Sequence, residues 1–234
     1  MKLIKKDKLN YSLCDTVANL SMLGAFQLVE DAMCQMMGEL KLDGETCIRE
    51  YDGMWVFVKN RIELRRKIHW MDEYTIECYI TNAGGVKLIV DTLIKTKGNI
   101  AVASRAELCA IDHKTGRIRR GNTVGLNETI CGETAEIDIG FHNADFTPCE
   151  LVDSVVVRSS DIDFYHHTNN VSYVRYLLNQ YDTAELRRAP ISVLEIRYVN
   201  QTFEGDTLEI YKCQDDNFTI LNNGKAVVNC IILQ

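Results

Sequence analysis

Residues 19–40 read NLSMLGAFQLVEDAMCQMMGEL, and their period decides the fold class. Leu20, Leu23, Phe26, Val29, Met33, Met36 and Met37 fall on or near one stripe, the three-and-four spacing of a helix that buries one side. Gly44 lies shortly beyond, where a chain leaving a helix can turn. From there the period changes to two. Trp55–Leu64, Tyr74–Asn82, Val86–Lys95 and Ile100–Asp112 are rich in β-branched and aromatic residues, with Asp, Gly and Asn turns between them. One helix followed by four strands is therefore the expected order of the first half.

The second half repeats that order. A strand is expected over Leu151–Arg158. A helix over Asn170–Leu186 follows, carrying Val171, Val174, Leu177, Leu178 and Tyr181 at helical period and closed by Pro190. Four more strands are expected at Val193–Val199, Thr207–Lys212, Phe218–Leu221 and Ala226–Leu233, with Asn222-Asn223-Gly224 as a hairpin turn. A shift of 134 residues places Ile62-Glu-Leu-Arg-Arg on Ile196-Arg-Tyr-Val-Asn and Asp72-Glu-Tyr-Thr-Ile on Asp206-Thr-Leu-Glu-Ile. The repeat is one of pattern more than of letters. A long helix wrapped by a bent antiparallel sheet, made twice, is an α+β fold of two tandem hot-dog domains. The expected division is 1–130 for the first domain, 131–150 for an acidic, weakly patterned linker, and 151–234 for the second.

Bulk properties narrow the function. The 234 residues carry 26 Lys and Arg against 33 Asp and Glu, a formal net charge of −7, with 46% hydrophobic residues. That balance argues against nucleic acid, which needs a basic face. No apolar run approaches the roughly 20 residues of a membrane span. The apolar stretch at the N-terminus is too short for a signal peptide. The chain is expected to be soluble and cytoplasmic. Nine cysteines, at 14, 34, 47, 78, 109, 131, 149, 213 and 230, include no Cys-x-x-Cys pair, so neither a zinc site nor a disulfide framework is expected. They read as small core residues in a reducing compartment. No Gly-x-Ser-x-Gly, Gly-x-Gly-x-x-Gly, Walker loop or His-Glu-x-x-His occurs. No nucleotide, flavin or metal is implied, and no cofactor is expected.

Chemistry concentrates in residues 161–173, DIDFYHHTNNVSY. A carboxylate (Asp163), a phenol (Tyr165) and two imidazoles (His166, His167) stand within five residues, just before the second helix. Asn169 or Asn170 can cap that helix. The unpaired amides and partial positive charge of a helix N-terminus can stabilise an oxyanion. Base, orienting group and oxyanion donors in one segment are the equipment for acyl hydrolysis.

Those residues also carry a resemblance. Asp163-Phe-Tyr-His-His167-Thr-Asn169-Asn170-Val171 is similar to the Asp-x-Asn-x-His-x-Asn-Asn-Val run of the acyl-acyl carrier protein thioesterases of plants and bacteria. Met54-Trp55-Val56-Phe57 with Trp70-Met71-Asp72 resembles the family's Trp-Val-Leu strand and Pro-x-Trp-Gly-Asp turn. Arg105–Asp112 followed by Thr115-Gly116-Arg117 resembles its strand ending in Asp-x-x-Thr-Gly-Arg.

The resemblance implies hydrolysis of the thioester between a fatty acyl chain and carrier-protein phosphopantetheine, with the active site at the start of the second helix. His167 and Asp163 match the family's histidine and aspartate. Tyr165 stands where the family has asparagine. The family glutamate on the following strand falls on Gln201 or Glu204. If it falls on Gln201, the base at that place is an amide, and a water activated by His167 and oriented by Asp163 is expected to attack. The thioester oxygen is expected at the amides of Asn170 and Val171, with Asn169 or Asn170 as cap. Because the family's first domain houses the acyl tail, Met33, Met37, Trp55 and Phe57 are expected as pocket wall. The expected partner is acyl carrier protein, docked on a basic patch drawn from Arg61–Lys67, Arg117–Arg120 or Arg187–Arg188. Neither membrane nor nucleic acid is expected. Acyl-coenzyme A as substrate and a non-catalytic acyl-binding protein are the alternatives. Monomer and homodimer both stand open.

Overall fold

The computed structural model describes residues 2–127, 130, 135, 137–214 and 217–234. Two units emerge, Met1–Gly140 and Phe141–Gln234. In the first, strand β1 (Lys2–Lys8) precedes helix α1 (Met22–Glu39) and a short helix α2 (Gly44–Tyr51). Strands β2 (Gly53–Leu64), β3 (Glu73–Gly84), β4 (Lys87–Thr96) and β5 (Asn99–Asp112) follow. Their order in the sheet is β1-β3-β4-β5-β2, each neighbour antiparallel.

α1 forms where the period placed it. Ser21 caps it by accepting from the Gly24 amide at 2.9 Å. The helix buries Phe26, Val29, Ala32, Met33, Met36 and Met37 and packs on β2, β3 and β4. Each of these large side chains contributes on the order of 2 kcal/mol by leaving water. Gly24 is required by close approach: a Cβ there would stand 2.3 Å from the Leu13 carbonyl oxygen. Bulges between Phe57 and Lys59 and between Ile80 and Asn82 bend the sheet around the helix.

Two elements depart from the expected order. Gly44 does not mark a turn but opens α2, which Asp43 caps by accepting from the Thr46 amide. β1 was not expected at all. Its sequence, KLIKKDK, buries only Leu3 and exposes most of the rest, which is how an edge strand is kept from pairing with other chains.

The second unit contains β6 (Glu150–Val156), helix α3 (Asn170–Leu178), helix α4 (Thr183–Arg188), β7 (Val193–Tyr198), β8 (Thr207–Lys212), β9 (Phe218–Asn222) and β10 (Lys225–Leu233). Its antiparallel order is β7-β10-β9-β8-β6. The helix expected over Asn170–Leu186 is broken. Gln180 donates to the Tyr176 carbonyl at 3.0 Å and to Asp153 Oδ2 at 3.1 Å, so the last turn of α3 is capped by a side chain that also ties it to β6. Asp182 then caps α4.

Parts of the stretch expected as linker are tied to their own unit. Ile139 sits among Tyr79, Leu93 and Ala103 of the first unit. Arg105 donates to the Ile139 carbonyl at 2.6 Å while gripping the fully buried Asp91 through two 2.8 Å bonds. In the second unit the His142 amide donates to the buried Glu195 at 2.9 Å, and Arg197 lies over the Phe146 ring. Residues 131–134 and 136 lie outside the described residues.

Candidate active site

The segment before α3 is a hairpin closed by an antiparallel bridge between Ile162 and Thr168. Inside it, the Asp163 amide donates to the His167 carbonyl at 2.9 Å and the His166 amide to the Asp163 carbonyl at 3.0 Å. Asp163 Oδ1 accepts from the amides of Tyr165 (2.9 Å) and His167 (3.3 Å). This is an Asx-type turn. It forces His166 into the left-handed region at φ 66°, which histidine tolerates better than most residues.

That geometry corrects one expectation. The Asp163 carboxylate holds the loop backbone and does not bond the His167 imidazole. The ring of His167 meets the edge of Phe203 at 5.3 Å, and its two nitrogens have no hydrogen-bond partner among the described residues. His166 is exposed, and Tyr165 packs on Phe164 at 4.2 Å.

A second expectation is corrected at the helix N-terminus. Asn169 is the cap, and its side chain accepts from the Val171 amide at 2.8 Å. The Val171 amide is therefore spent on the cap. The neighbouring amides are used as well: Thr168 donates to the Thr202 carbonyl, Asn169 to that of Asp161, and Ser172 to that of Asn169. The expected oxyanion pair of Asn170 and Val171 amides is not available as a pair.

Buried polar groups lock the hairpin in place. Thr168 Oγ1 and Thr202 Oγ1 are 2.7 Å apart, and the Tyr173 hydroxyl is 2.7 Å from the same Thr202 oxygen. All three residues are buried, and burial raises the phenol of Tyr173, which stays neutral. On the other side Asp161, buried, accepts from the Arg158 amide at 2.8 Å and pairs with Arg175 of α3. Burial and that carboxylate push the Tyr176 phenol upward.

Thr202 brings the segment after β7 against the hairpin, and with it both candidates for the family's glutamate. Gln201 and Glu204 are exposed and flank Thr202 and Phe203. Glu204 lies in the turn before β8, where Phe203 and Asp206 bond each other. Neither side chain has a partner among the described residues.

The four expected pocket residues lie in the first unit. Met33 and Met37 are buried on α1, Trp55 is buried on β2, and Phe57 is half-buried. Trp55 is covered by Gly121, where a Cβ would come within 2.9 Å of the indole. An open cleft of about 360 Å³ lies elsewhere in that unit, lined by Lys8, Met71, Asp72, Glu73 and Lys97, and includes none of the expected site residues. Two of the basic clusters are already engaged. Arg61 and Arg65 both grip Glu63, and Arg119 holds the carbonyls of Tyr51 and Thr123. Burial by itself would raise the Glu63 carboxyl, but the two guanidinium groups outweigh it and hold it low.

A helix on a bent antiparallel sheet in each unit, with a histidine-bearing hairpin at the helix start of the second, defines a tandem hot-dog protein. Residues 149–229 match the profile described as the acyl-ACP thioesterase C-terminal domain. The acyl-[acyl-carrier-protein] hydrolase FATB3 of Cuphea viscosissima is 24% identical over 208 residues, which cover 83% of this chain. The chain spans about half the length of that curated relative, 50%. An acyl-ACP thioesterase from Bacteroides thetaiotaomicron superposes with a TM-score of 0.86 at 17% identity, covering 99% of this chain and 97% of the other. The 12:0-ACP thioesterase of Umbellularia californica gives 0.77 at 16% identity, covering 98% and 95%. These likenesses show that the fold is shared. The chain resembles the acyl-acyl carrier protein thioesterases, most directly over residues 149–229.

Proposed function

We propose that this protein hydrolyses the thioester of acyl-acyl carrier protein, releasing free fatty acid within fatty acid biosynthesis in the cytoplasm. The observation that carries the reading is His167. It sits in a rigid hairpin at the start of α3, inside the segment that matches the family's C-terminal domain, with both ring nitrogens open. A water beside that imidazole would lose its proton to it while attacking the thioester carbonyl carbon. The tetrahedral intermediate then collapses, the carbon–sulfur bond breaks, and the imidazolium returns the proton to the departing phosphopantetheine thiolate. Asp163 acts as a positioning residue: it sets the loop that aims His167.

Gln201 is the residue we assign to the family's glutamate place. Thr202 turns its hydroxyl to Tyr173, and Phe203 turns its ring to His167. Side chains alternate along extended backbone, so Gln201 shares the Phe203 side. Its amide cannot serve as base but can donate to the developing oxyanion, the part the Val171 amide does not fill. Met33, Met37, Trp55 and Phe57 remain our assignment for the acyl-chain wall.

The test is release of free acid from a panel of acyl carrier protein thioesters by the wild type and His167→Ala. The expected result is turnover by the wild type and a loss of about 10²-fold or more in the variant, the scale of acid–base catalysis. Equal turnover by both removes His167 from the mechanism. Turnover confined to acyl-coenzyme A, or acyl binding without turnover, overturns the assigned substrate or the activity itself.

A further inference from the structure

The two cysteines at 149 and 213 are 64 positions apart in the sequence, yet the fold brings them to the same end of the β6–β8 pair. The register of β6 on β8 pairs Glu150 with Lys212 and Leu151 with Tyr211. At the end of that ladder the Cys149 amide donates to the Lys212 carbonyl at 3.0 Å, which sets Cys149 beside the residue that precedes Cys213. The next bond, from the Cys213 amide to the Asn217 carbonyl at 2.7 Å, fixes the other cysteine against β9. A disulfide needs Cα atoms about 4.4–6.8 Å apart, a separation that neighbouring strands, about 4.8 Å apart, can supply.

The two sulfurs differ in environment in a way that suits stepwise oxidation. Cys149 is exposed, and its thiol now donates to the Thr147 carbonyl at 3.5 Å. Cys213 is buried. Burial, then the neighbouring Cys149 and Asp145, push its thiol up to about 11, which keeps it protonated at neutral pH.

We propose that Cys149 and Cys213 form a dithiol modification site that closes to a disulfide under a two-electron oxidant of the peroxide class. The Cys149 sulfur attacks the peroxide. A sulfur–oxygen bond forms, the oxygen–oxygen bond breaks, and the leaving hydroxide takes a proton to become water. The Cys213 sulfur then attacks the Cys149 sulfenic acid. The sulfur–sulfur bond forms, the sulfur–oxygen bond breaks, and the departing hydroxide takes the Cys213 proton as a second water. Two thiols and one peroxide become one disulfide and two waters. The bond closes a long loop containing the hairpin and α3, so oxidation restrains the part of the chain that carries His167. The site stands independently of the thioesterase reading.

The test treats the full chain with hydrogen peroxide and maps the linkage by tryptic digestion and mass spectrometry without reductant. The expected product joins the peptide 121–158 to the peptide 213–225, two hydrogens lighter than the pair. Fragmentation must place the link on Cys149 and not on Cys131, which shares the first peptide. Titratable thiols fall by two, the thermal midpoint rises by several degrees, and dithiothreitol reverses both. Cys149→Ser, an exposed replacement, is expected to abolish the link and the thermal shift while leaving the reduced protein's midpoint unchanged. Linkage through other cysteines, or accumulation of Cys149 as sulfinic acid with Cys213 still free, overturns the proposal. So does a thermal shift that survives in Cys149→Ser.

Discussion

Thr202→Val is the substitution that most directly tests how the site is held. Thr202 is fully buried, and its hydroxyl meets both the Thr168 hydroxyl and the Tyr173 phenol at 2.7 Å. Valine keeps the volume and removes the hydroxyl. Two hydrogen bonds are lost at about 1 kcal/mol each, and the Tyr173 phenol is left without a partner in a buried place, for a sum of about 3 kcal/mol. Thr168 keeps its bond to the Thr202 carbonyl, 3.2 Å away, and is not stranded. Tyr173→Phe alone removes one bond and strands nothing, so about 1 kcal/mol is expected. The double variant should then lie about 1 kcal/mol above Thr202→Val, because the stranded phenol is gone. Urea denaturation of the four proteins at fixed pH reads the cycle. The same variant loosens the segment carrying Gln201 and Phe203 against His167, and a shift near 1 Å is enough for a loss of up to about 10²-fold in turnover. If Thr202→Val stays within about 0.5 kcal/mol of wild type, or if the double variant is no better than the single, the network does not hold the hairpin and the reasoning fails.

Three further outcomes follow from particular contacts. Gly24→Ala gains about 1 kcal/mol of helix propensity but drives a Cβ to 2.3 Å from the Leu13 carbonyl, which also accepts from Ser21. A net loss of about 2 kcal/mol is expected, whereas Gly38→Ala, with nothing within 4 Å, should stabilise the same helix; denaturation midpoints that move in the same direction refute the contact. Burial raises the thiols of Cys47, Cys78 and Cys213 from 9.0 to about 11, 12 and 11, so the folded state keeps protons that the unfolded chain releases above pH 9. Their contribution is complete below pH 9 and is lost as pH rises toward 11, by about 4 kcal/mol at pH 10, which equilibrium unfolding between pH 8 and 10 measures; a flat profile contradicts it. Asp163→Asn retains an oxygen to accept from the Tyr165 and His167 amides and should keep most of the turnover, while Asp163→Ala opens the turn and should lose about tenfold or more; a collapse with asparagine assigns the charge itself to catalysis.

The helix and strand framework was legible wherever one face is buried against water. α1 and the strands β2 to β5 and β7 to β10 follow their period to within a few residues, because packing and local pattern agree there. β1 escaped notice for a physical reason. An edge strand guarded by lysines buries too little to leave an alternation. α2 was hidden by a glycine that stands at a helix start and not at a turn. The break after Leu178 depends on Gln180 reaching Asp153, a contact between residues 27 apart that no local signal announces. Within the site, the residue types were readable from DIDFYHHTNNV, but not their partners. The cap could be narrowed to Asn169 or Asn170, and the fold uses Asn169. That the Thr168 amide is taken by a carbonyl 34 residues away, and that Asp163 turns to the backbone, are properties of the assembled fold.

The bonds of the hairpin divide its labour. Most backbone amides from Ile162 to Ser172 are used to hold shape: Asp163 and His166 close the turn, Thr168 binds the segment after β7, and Asn169 caps α3. A loop with so many amides committed leaves much of the chemistry to side-chain tips. His167 and Gln201 are tips with no partner of their own among the described residues. That arrangement differs from an oxyanion site built on a helix N-terminus, whose donors are fixed with the helix. Donors on side chains can be retuned one residue at a time. On the proposed assignment, Gln201→Ala takes away an oxyanion donor, and a loss on the scale of about 10²-fold is expected. Replacement by glutamate instead trades that donor for a titrating carboxylate, so a rate loss with an unchanged pH–rate profile in Gln201→Ala and an altered profile in Gln201→Glu separate its role as donor from any role in packing.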